Sequence, residues 1–362
     1  MKKFRFLFEL PVIFFLTGFI IFSNIADAQV PVRNVILMIG DGMGLNHMYA
    51  ACTVSADPLA IERCQYVWLV KTHPANGYNT DSSAAGTAIA CGEKTNNGMV
   101  GVRPDGSRLK SMLEYAADNG LATGMVVTCE LTHATPASFV SHVASRGENE
   151  NIALDLARSK INVAIGGGRK YFENRSDQKN LTDTMKNKGF SVAYTTDEVK
   201  ATQKGNLLAL LADISPETYP ARGDMLPESV NTAINLLNHN EKGFFLMVEG
   251  SQIDWAAHDN HQEKVVNEML DFDRAVKVAF DFAKRDGNTL VIVTADHETG
   301  CMGILGGNLQ TGELNTVFSS KGHTGVPVPI YTFGPGAEKF TGIFDNTEIL
   351  AKVLTCWGLG TP

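Results

Sequence analysis

A hydroxyl stands beside a carboxylate in Asn79-Thr80-Asp81-Ser82-Ser83-Ala84-Ala85-Gly86-Thr87-Ala88. The small residues that follow favour a helix, which places Ser82 in its first turn. There, free backbone N–H groups and the helix dipole attract an anion. A serine facing an anion site is a nucleophile once something lowers its pKa. No histidine stands close to Ser82 in the sequence, so its activator must come from elsewhere in the chain. Ser83 reads as a helix-start residue, because the turn aims one hydroxyl at the anion.

Acids and histidines recur where apolar runs stop. Asn34 to Ile39 ends at Gly40-Asp41-Gly42, Phe244 to Val248 delivers Glu249, and Leu290 to Val293 delivers Asp296 and His297. Asp254 and His258 follow the second run at i and i+4, so one helix face presents both. Open α/β sheets bind ligands outside the carboxyl ends of their strands. Such acids at one sheet edge would repel one another by several kcal/mol unless cations lay between them. Mixed imidazole and carboxylate ligands suit zinc, and all-oxygen sets suit magnesium. Two metals roughly 4 Å apart can activate a serine on one side and stabilise a leaving oxygen on the other. Gly40, Gly42 and Gly44 lack the dinucleotide spacing and set an acid where phosphates would go, which argues against that cofactor.

The elements that must hold these residues alternate. Helical patterns cover Ser82 to Cys91, Leu109 to Asn119, Ile152 to Lys160, Pro227 to Asn238, Gln262 to Arg285 and Thr347 to Trp357. Further strands are predicted over Leu121 to Thr128, Ile161 to Ile165, Phe190 to Tyr194, Leu207 to Leu211 and Pro329 to Phe333. This is an α/β pattern: a mostly parallel central sheet with helices on both faces, in one domain over residues 29–362. Nothing catalytic emerges between Asn149 and Asp224, and a glycine-rich segment leads to His323.

With 362 residues, 44% hydrophobic and 19% charged, the chain can bury a large core. A net charge of -8, with no basic block longer than a pair, excludes nucleic acid as a partner and leaves carboxylates for cations. Met1-Lys2-Lys3 and Arg5, the apolar run Leu10 to Phe22, and Ala26-Asp27-Ala28 read as a secretory signal peptide over residues 1–28. The mature chain is expected to begin near Gln29, in a periplasm or outside the cell, and no later run is long enough to cross a bilayer. Export permits disulfides among Cys52, Cys64, Cys91, Cys129, Cys301 and Cys356. Cys52 and Cys64 could staple one loop, whereas Cys129 reads as a buried free thiol. The absence of C-x-x-C argues against a cysteine zinc site or redox motif.

Six segments, in order, resemble the alkaline phosphatase family. They are Gly40-Asp41-Gly42-Met43-Gly44, Asp81 to Thr87, Val248-Glu249-Gly250, Asp254 with His258, Thr294-Ala295-Asp296-His297, and Gly322-His323-Thr324-Gly325. The resemblance runs from about Asn34 to Pro335 and implies an enzyme that hydrolyses phosphate monoesters through a phosphoserine. It implies that Ser82 is the nucleophile and Arg146 the phosphate-binding arginine, whose fork suits two phosphate oxygens. Asp254, His258 and His323 would hold one zinc, and Asp41, Asp296 and His297 the second. Asp41 would also reach a magnesium-type third site with Thr135 and Glu249. Substrate monoesters and inorganic phosphate are the implied ligands, and a homodimer the implied assembly. A related sulfatase would need a C/S-x-P-x-R setting, and a diesterase usually carries threonine for the serine and needs no such arginine. A phosphoglycerate mutase is the remaining rival within the superfold. A non-catalytic phosphate or metal scavenger would be expected to have lost at least one of these positions.

Three positions depart from the family pattern. Asn79 replaces an aliphatic residue, His133 stands where some members have aspartate, and Trp255 where some have a basic residue. Histidine at 133 is expected to tilt the third site from magnesium towards zinc, and Trp255 to remove a positive charge near the phosphate. His47, His142, His239 and His261 read as surface or satisfied histidines, and nothing in the sequence brings His73 to the site. Accordingly, His133→Asp should change the metal content, and Trp255→Lys the steady-state kinetics and pH response. Unchanged values in both would refute these roles.

Overall fold

The computed structural model describes residues 32–360, so the signal-peptide reading lies outside the described residues. In chain order the strands are β1 Asn34–Gly40, β2 Tyr66–Lys71, β3 Ala122–Glu130, β4 Val163–Gly167, β5 Phe190–Ala193, β6 Asn206–Leu210 and β7 Phe244–Gly250. They continue as β8 Thr289–Thr294, β9 Glu298–Thr299, β10 Met302–Asn308, β11 Glu313–Phe318, β12 His323–Thr324, β13 Val328–Phe333 and β14 Ile343–Asp345. Ten of them form one sheet in the order β14-β2-β13-β8-β1-β7-β3-β4-β6-β5. From β8 to β5 every neighbouring pair is parallel. The predicted strand Pro329 to Phe333 departs from that pattern, since β13 runs antiparallel to both β8 and β2.

The central strands are apolar at almost every position because helices cover both faces. β1, β7 and β8 are buried along their whole length. The 25-residue helix Gln262–Asp286 buries Val265, Met269, Phe272, Val276, Ala279 and Ala283 along one stripe. Pairing aligns the ends of the three strands that matter most. Ile39 lies opposite Glu249 on β7 and opposite Thr294 on β8. Asp41, Glu249 and Asp296 therefore leave three adjacent strands within two residues of one another along the chain direction.

Some boundaries move for local reasons. The predicted helix from Leu109 begins at Met112, because Ser111 accepts the Glu114 N–H at 3.3 Å while the Glu114 carboxylate accepts the Ser111 N–H at 2.9 Å. Glu249 lies inside β7 and not beyond it. The glycine-rich segment before His323 holds the β10–β11 hairpin and the two-residue ladder of β9 with β12. No disulfide forms among the described residues. Cys52 stays within its helix with its thiol 3.3 Å from the Met48 sulfur.

A buried ion cluster ties the segment after β6 to the long helix. Arg222, 2% exposed, bridges Glu268 and Asp271, which are equally buried. Burial pushes both carboxyls up, and the guanidinium opposes that shift. The same segment presents the Pro216 carbonyl to Gln252 at 2.9 Å, at the start of the helix that carries Asp254. Arg222→Ala would leave buried Glu268 without a charged partner and Asp271 with only Arg274 at 3.8 Å, so unfolding stability in urea should fall by about 3–5 kcal/mol. Truncating the exposed pair of Lys277 and Asp281 should cost less than about 1 kcal/mol.

Candidate metal centre and nucleophile

The helix Ser82–Cys91 starts at Ser82 because Asp81 caps it, accepting the Ala84 N–H at 2.9 Å. All ten helical positions are buried. Gly86 allows this, since a Cβ there would stand 2.8 Å from Ser138 Oγ in the turn that follows Thr135. Ser83 donates to Asp81 at 2.7 Å and accepts the Gly98 N–H at 3.1 Å, so its hydroxyl is committed to the loop. Ser82 Oγ instead lies 3.3 Å from His297 Nε2.

Around Ser82 the predicted ligands converge. His297 Nε2 lies 3.5 Å from Asp41 Oδ1 and 3.2 Å from Asp296 Oδ2. His258 Nε2 lies 3.1 Å from His323 Nε2 and 3.3 Å from Asp254 Oδ2, while His323 Nε2 is 3.6 Å from Asp254 Oδ1. Donor atoms of Asp254, His297 and His323 fall within 4.8 Å of one another, as do those of Asp41, Asp296 and His297. His297 thus belongs to both groups, and its ring stacks on His323 with centroids 3.6 Å apart.

Each imidazole is held from behind. The Nδ1 of His323 meets the Thr80 carbonyl at 2.7 Å, and that of His258 meets the Lys321 carbonyl. The Nδ1 of His297 lies 3.3 Å from Thr299 Oγ1. An Nδ1–H donated outwards leaves an Nε2 lone pair facing the cluster, the arrangement a metal-binding histidine requires. Asn79 gains a role here, since its amide donates to the His323 carbonyl at 3.0 Å.

The carboxylates show the electrostatic strain of the site. Burial, followed by the charges of Asp296, Asp254 and Glu249, raises Asp41 well above the usual carboxylate range. Burial likewise lifts Glu249 to about 7. Burial opposes ionisation of Asp254 too, but its bond to His258 and the charges of His297 and His323 hold it below the usual range. His258 is raised to about 9, chiefly by that bond. Both Asp41 oxygens, Asp296 Oδ2, Glu249 Oε1 and Thr135 Oγ1 are buried without a hydrogen-bond partner. Unpartnered buried acceptors around shared points are what cations satisfy, so the residues fit metal ions.

Arg146 reaches the same place from a loop anchored by its own N–H on the Gly98 carbonyl at 2.7 Å. Its Nη1 donates to Asp81 Oδ2 at 3.1 Å, and its Nη2 lies 3.4 Å from His133 Nε2. Asp81 is held below the usual range against burial by the Ala84 N–H, Ser83 and Arg146. Trp255 sets its ring edge-on to His133, centroids 6.0 Å apart.

The other histidines lie apart from the Ser82 cluster. His47 is buried with its Nδ1 accepting the Gly44 N–H at 2.7 Å, and His142 meets the Gly101 carbonyl at 2.8 Å. His261 caps the long helix, His73 pairs with Asp345 at 3.3 Å, and His239 is exposed.

Two residues near the site escaped the sequence reading. Asp81 links the Ser82–Cys91 helix to Arg146, and only its place beside Ser82 hinted at that. Thr299 Oγ1 donates to Asp254 Oδ1 while meeting His297 Nδ1, so one hydroxyl joins candidate ligands of both groups. Its position two residues after His297 in an extended segment was the available signal.

The family model described as alkaline phosphatase matches residues 32–317. Alkaline phosphatase 4 of Bacillus subtilis (strain 168) is 36% identical, covering 89% of each chain. The solved alkaline phosphatase of the Antarctic bacterium TAB5 is 38% identical, covers 92% of this chain and 99% of its own, and superposes with a TM-score of 0.86. A histidine-to-aspartate mutant of the TAB5 enzyme, with magnesium bound in its M3 site, is 36% identical with a TM-score of 0.86, over 92% and 100% of the two chains. Thr299→Val removes the bridging hydroxyl at nearly constant volume. Chelator competition should show zinc held at least about 10-fold more weakly, and unchanged affinity would deny the bridge any part in metal binding.

Proposed function

The chain belongs to the alkaline phosphatase family, enzymes that hydrolyse phosphate monoesters, and we propose that Ser82 carries the reaction as a phosphoserine. Asp254, His258 and His323 would hold one zinc, Asp41, Asp296 and His297 a second, and Asp41, Thr135 and Glu249 a third ion of magnesium or, with His133 beside it, zinc. Ions bound there would supply the positive charge that makes a serine and a water nucleophilic near neutral pH and stabilises a departing alkoxide.

The chain's own residues do the rest. Substrate phosphate docks at the N-terminus of the Ser82–Cys91 helix, and the Arg146 guanidinium forks two of its oxygens. Asp81 keeps that guanidinium in place through its 3.1 Å contact. Ser82 Oγ attacks phosphorus in line, the bond to the alcohol oxygen breaks, and the phosphoryl group rests on the serine. A water entering from the vacated side then attacks phosphorus, frees Ser82 and releases inorganic phosphate. Both nucleophiles must shed a proton, which favours an alkaline optimum.

The observation that carries this reading is the 3.3 Å approach of Ser82 Oγ to His297 Nε2, where the two groups of buried candidate ligands meet. Export through a cleaved signal peptide, to a periplasm or the exterior, is part of the same proposal and rests on the basic and apolar N-terminal pattern. Among the described residues no helix is long and apolar enough to cross a membrane. A homodimer is proposed on family likeness.

The test compares nitrophenyl phosphate monoester with its diester, using mature protein stripped by a chelator and given back zinc and magnesium. Metal-restored monoester hydrolysis is expected. Ser82→Ala should lower kcat/KM by more than about 10³-fold and Arg146→Ala by roughly 10²-fold. A preference for the diester would move the function to phosphodiesterase, and no turnover with zinc bound would favour a scavenger.

A further inference from the structure

Cys129 lies in β3 with no exposed surface, yet it does not face a purely apolar core. Its Sγ is 3.4 Å from Glu249 Oε2. Donor atoms of Cys129, His133 and Glu249 all fall within 4.8 Å of one another, a third cluster beside the two around Ser82. Two of its members have donors to spare. Glu249 Oε1 is buried without a partner on a fully buried residue, and His133 Nδ1 is buried without a partner while its Nε2 faces Arg146. The nearby Thr135 hydroxyl is also unpartnered. A structural cysteine behaves as a small hydrophobe. This one meets the Glu249 carboxylate and, at 3.4 Å, the Glu130 carbonyl, with a His133 ring nitrogen within 4.8 Å.

We propose that Cys129 is a direct ligand of the third cation. With His133 and Glu249 it forms a thiolate, imidazole and carboxylate site that selects zinc over magnesium. The proposal rests on the metal-dependent reading above and deepens it by naming the atoms that hold one ion. On binding, the S–H bond gives way to an S–metal bond and the proton passes to solvent. Magnesium, a hard cation that keeps oxygen ligands and water, gains little from a thiolate, whereas zinc binds one readily. The oxygen donors of Asp41, Thr135 and Glu249 alone would suit magnesium. Cys129 and His133, whose donor atoms lie within 4.8 Å of the Glu249 carboxylate, change the softness of the site. The chain would therefore need no magnesium for full occupancy where zinc is available.

Cobalt(II) tests this, because a thiolate ligand gives bound cobalt a near-ultraviolet charge-transfer band that oxygen and nitrogen ligands lack. The metal-stripped full chain, titrated with cobalt, should develop the band. Cys129→Ser should lose it and retain about one zinc fewer per chain after dialysis. Cys356→Ala, altered in the closing helix, should keep both. A wild-type protein without the band, or a Cys129→Ser protein that keeps it, would overturn the proposal. Should Cys129→Ser fail to fold, His133→Ala, with the thiol intact, must shift or weaken the band, and an unmoved band would equally overturn it. The functional reading is tested separately. A chain that shows the Cys129-dependent band but hydrolyses no monoester supports this site and refutes that activity.

Discussion

Like-charge crowding in a dry place governs this molecule. Asp41, Glu249, Asp254 and Asp296 are all buried, and they crowd around the same few points. The guanidinium beside them, Arg146, is committed to Asp81. Such a group folds only if protons or cations neutralise it, and the raised Asp41 and Glu249 mark where protons would otherwise go. The convergence is forced by the backbone. β8, β1 and β7 lie side by side in parallel register, and each carries an acid within two residues of its C-terminal end. The core strands' apolar packing and hydrogen-bond ladder hold the acids together against their repulsion.

The imidazoles complete this arrangement from a second direction. Thr80, Lys321 and Thr299 each meet an outer ring nitrogen, so the orientation of His323, His258 and His297 is set before any ion arrives. Preorganisation of this kind limits what binding must spend on ordering side chains. It also links Ser82 to its surroundings, because Thr80 lies two residues before it.

Much of this was legible in the chain itself. Continuous apolar runs ending in Asp41, Glu249 and Asp296 announce buried parallel strands with acids at their tips, and Asp254 with His258 announces one helix face. The small residues after Ser82 announce a helix that can be buried all round. What stayed hidden depends on tertiary contacts that leave no periodic trace. The antiparallel entry of β13 is a matter of direction, which side-chain patterning does not encode. In the β10–β11 hairpin, β10 is rich in glycine and shows no alternation although β11 does, so the sequence alone presents the segment as loop. Thr299, Asp81 and Cys129 are ordinary residues until the fold sets them against a ligand. Proximity in sequence suggests a Cys52 to Cys64 staple, but the helix around Cys52 turns its thiol towards Met48 and both cysteines stay free.

The short ladder of β9 with β12 has a consequence for the order in which the protein is made. His323 sits opposite Thr299 there, and its ring nitrogen meets Thr80 across 243 positions of sequence. A nascent chain that stops short of this ladder has Ser82 and every carboxylate of the cluster, but cannot assemble the full set of imidazoles. Closing so distant a contact comes late in folding, since loop entropy must be overcome first. Tight capture of ions is thereby postponed until the chain has been made past His323, and a product truncated before that point is left without a finished site.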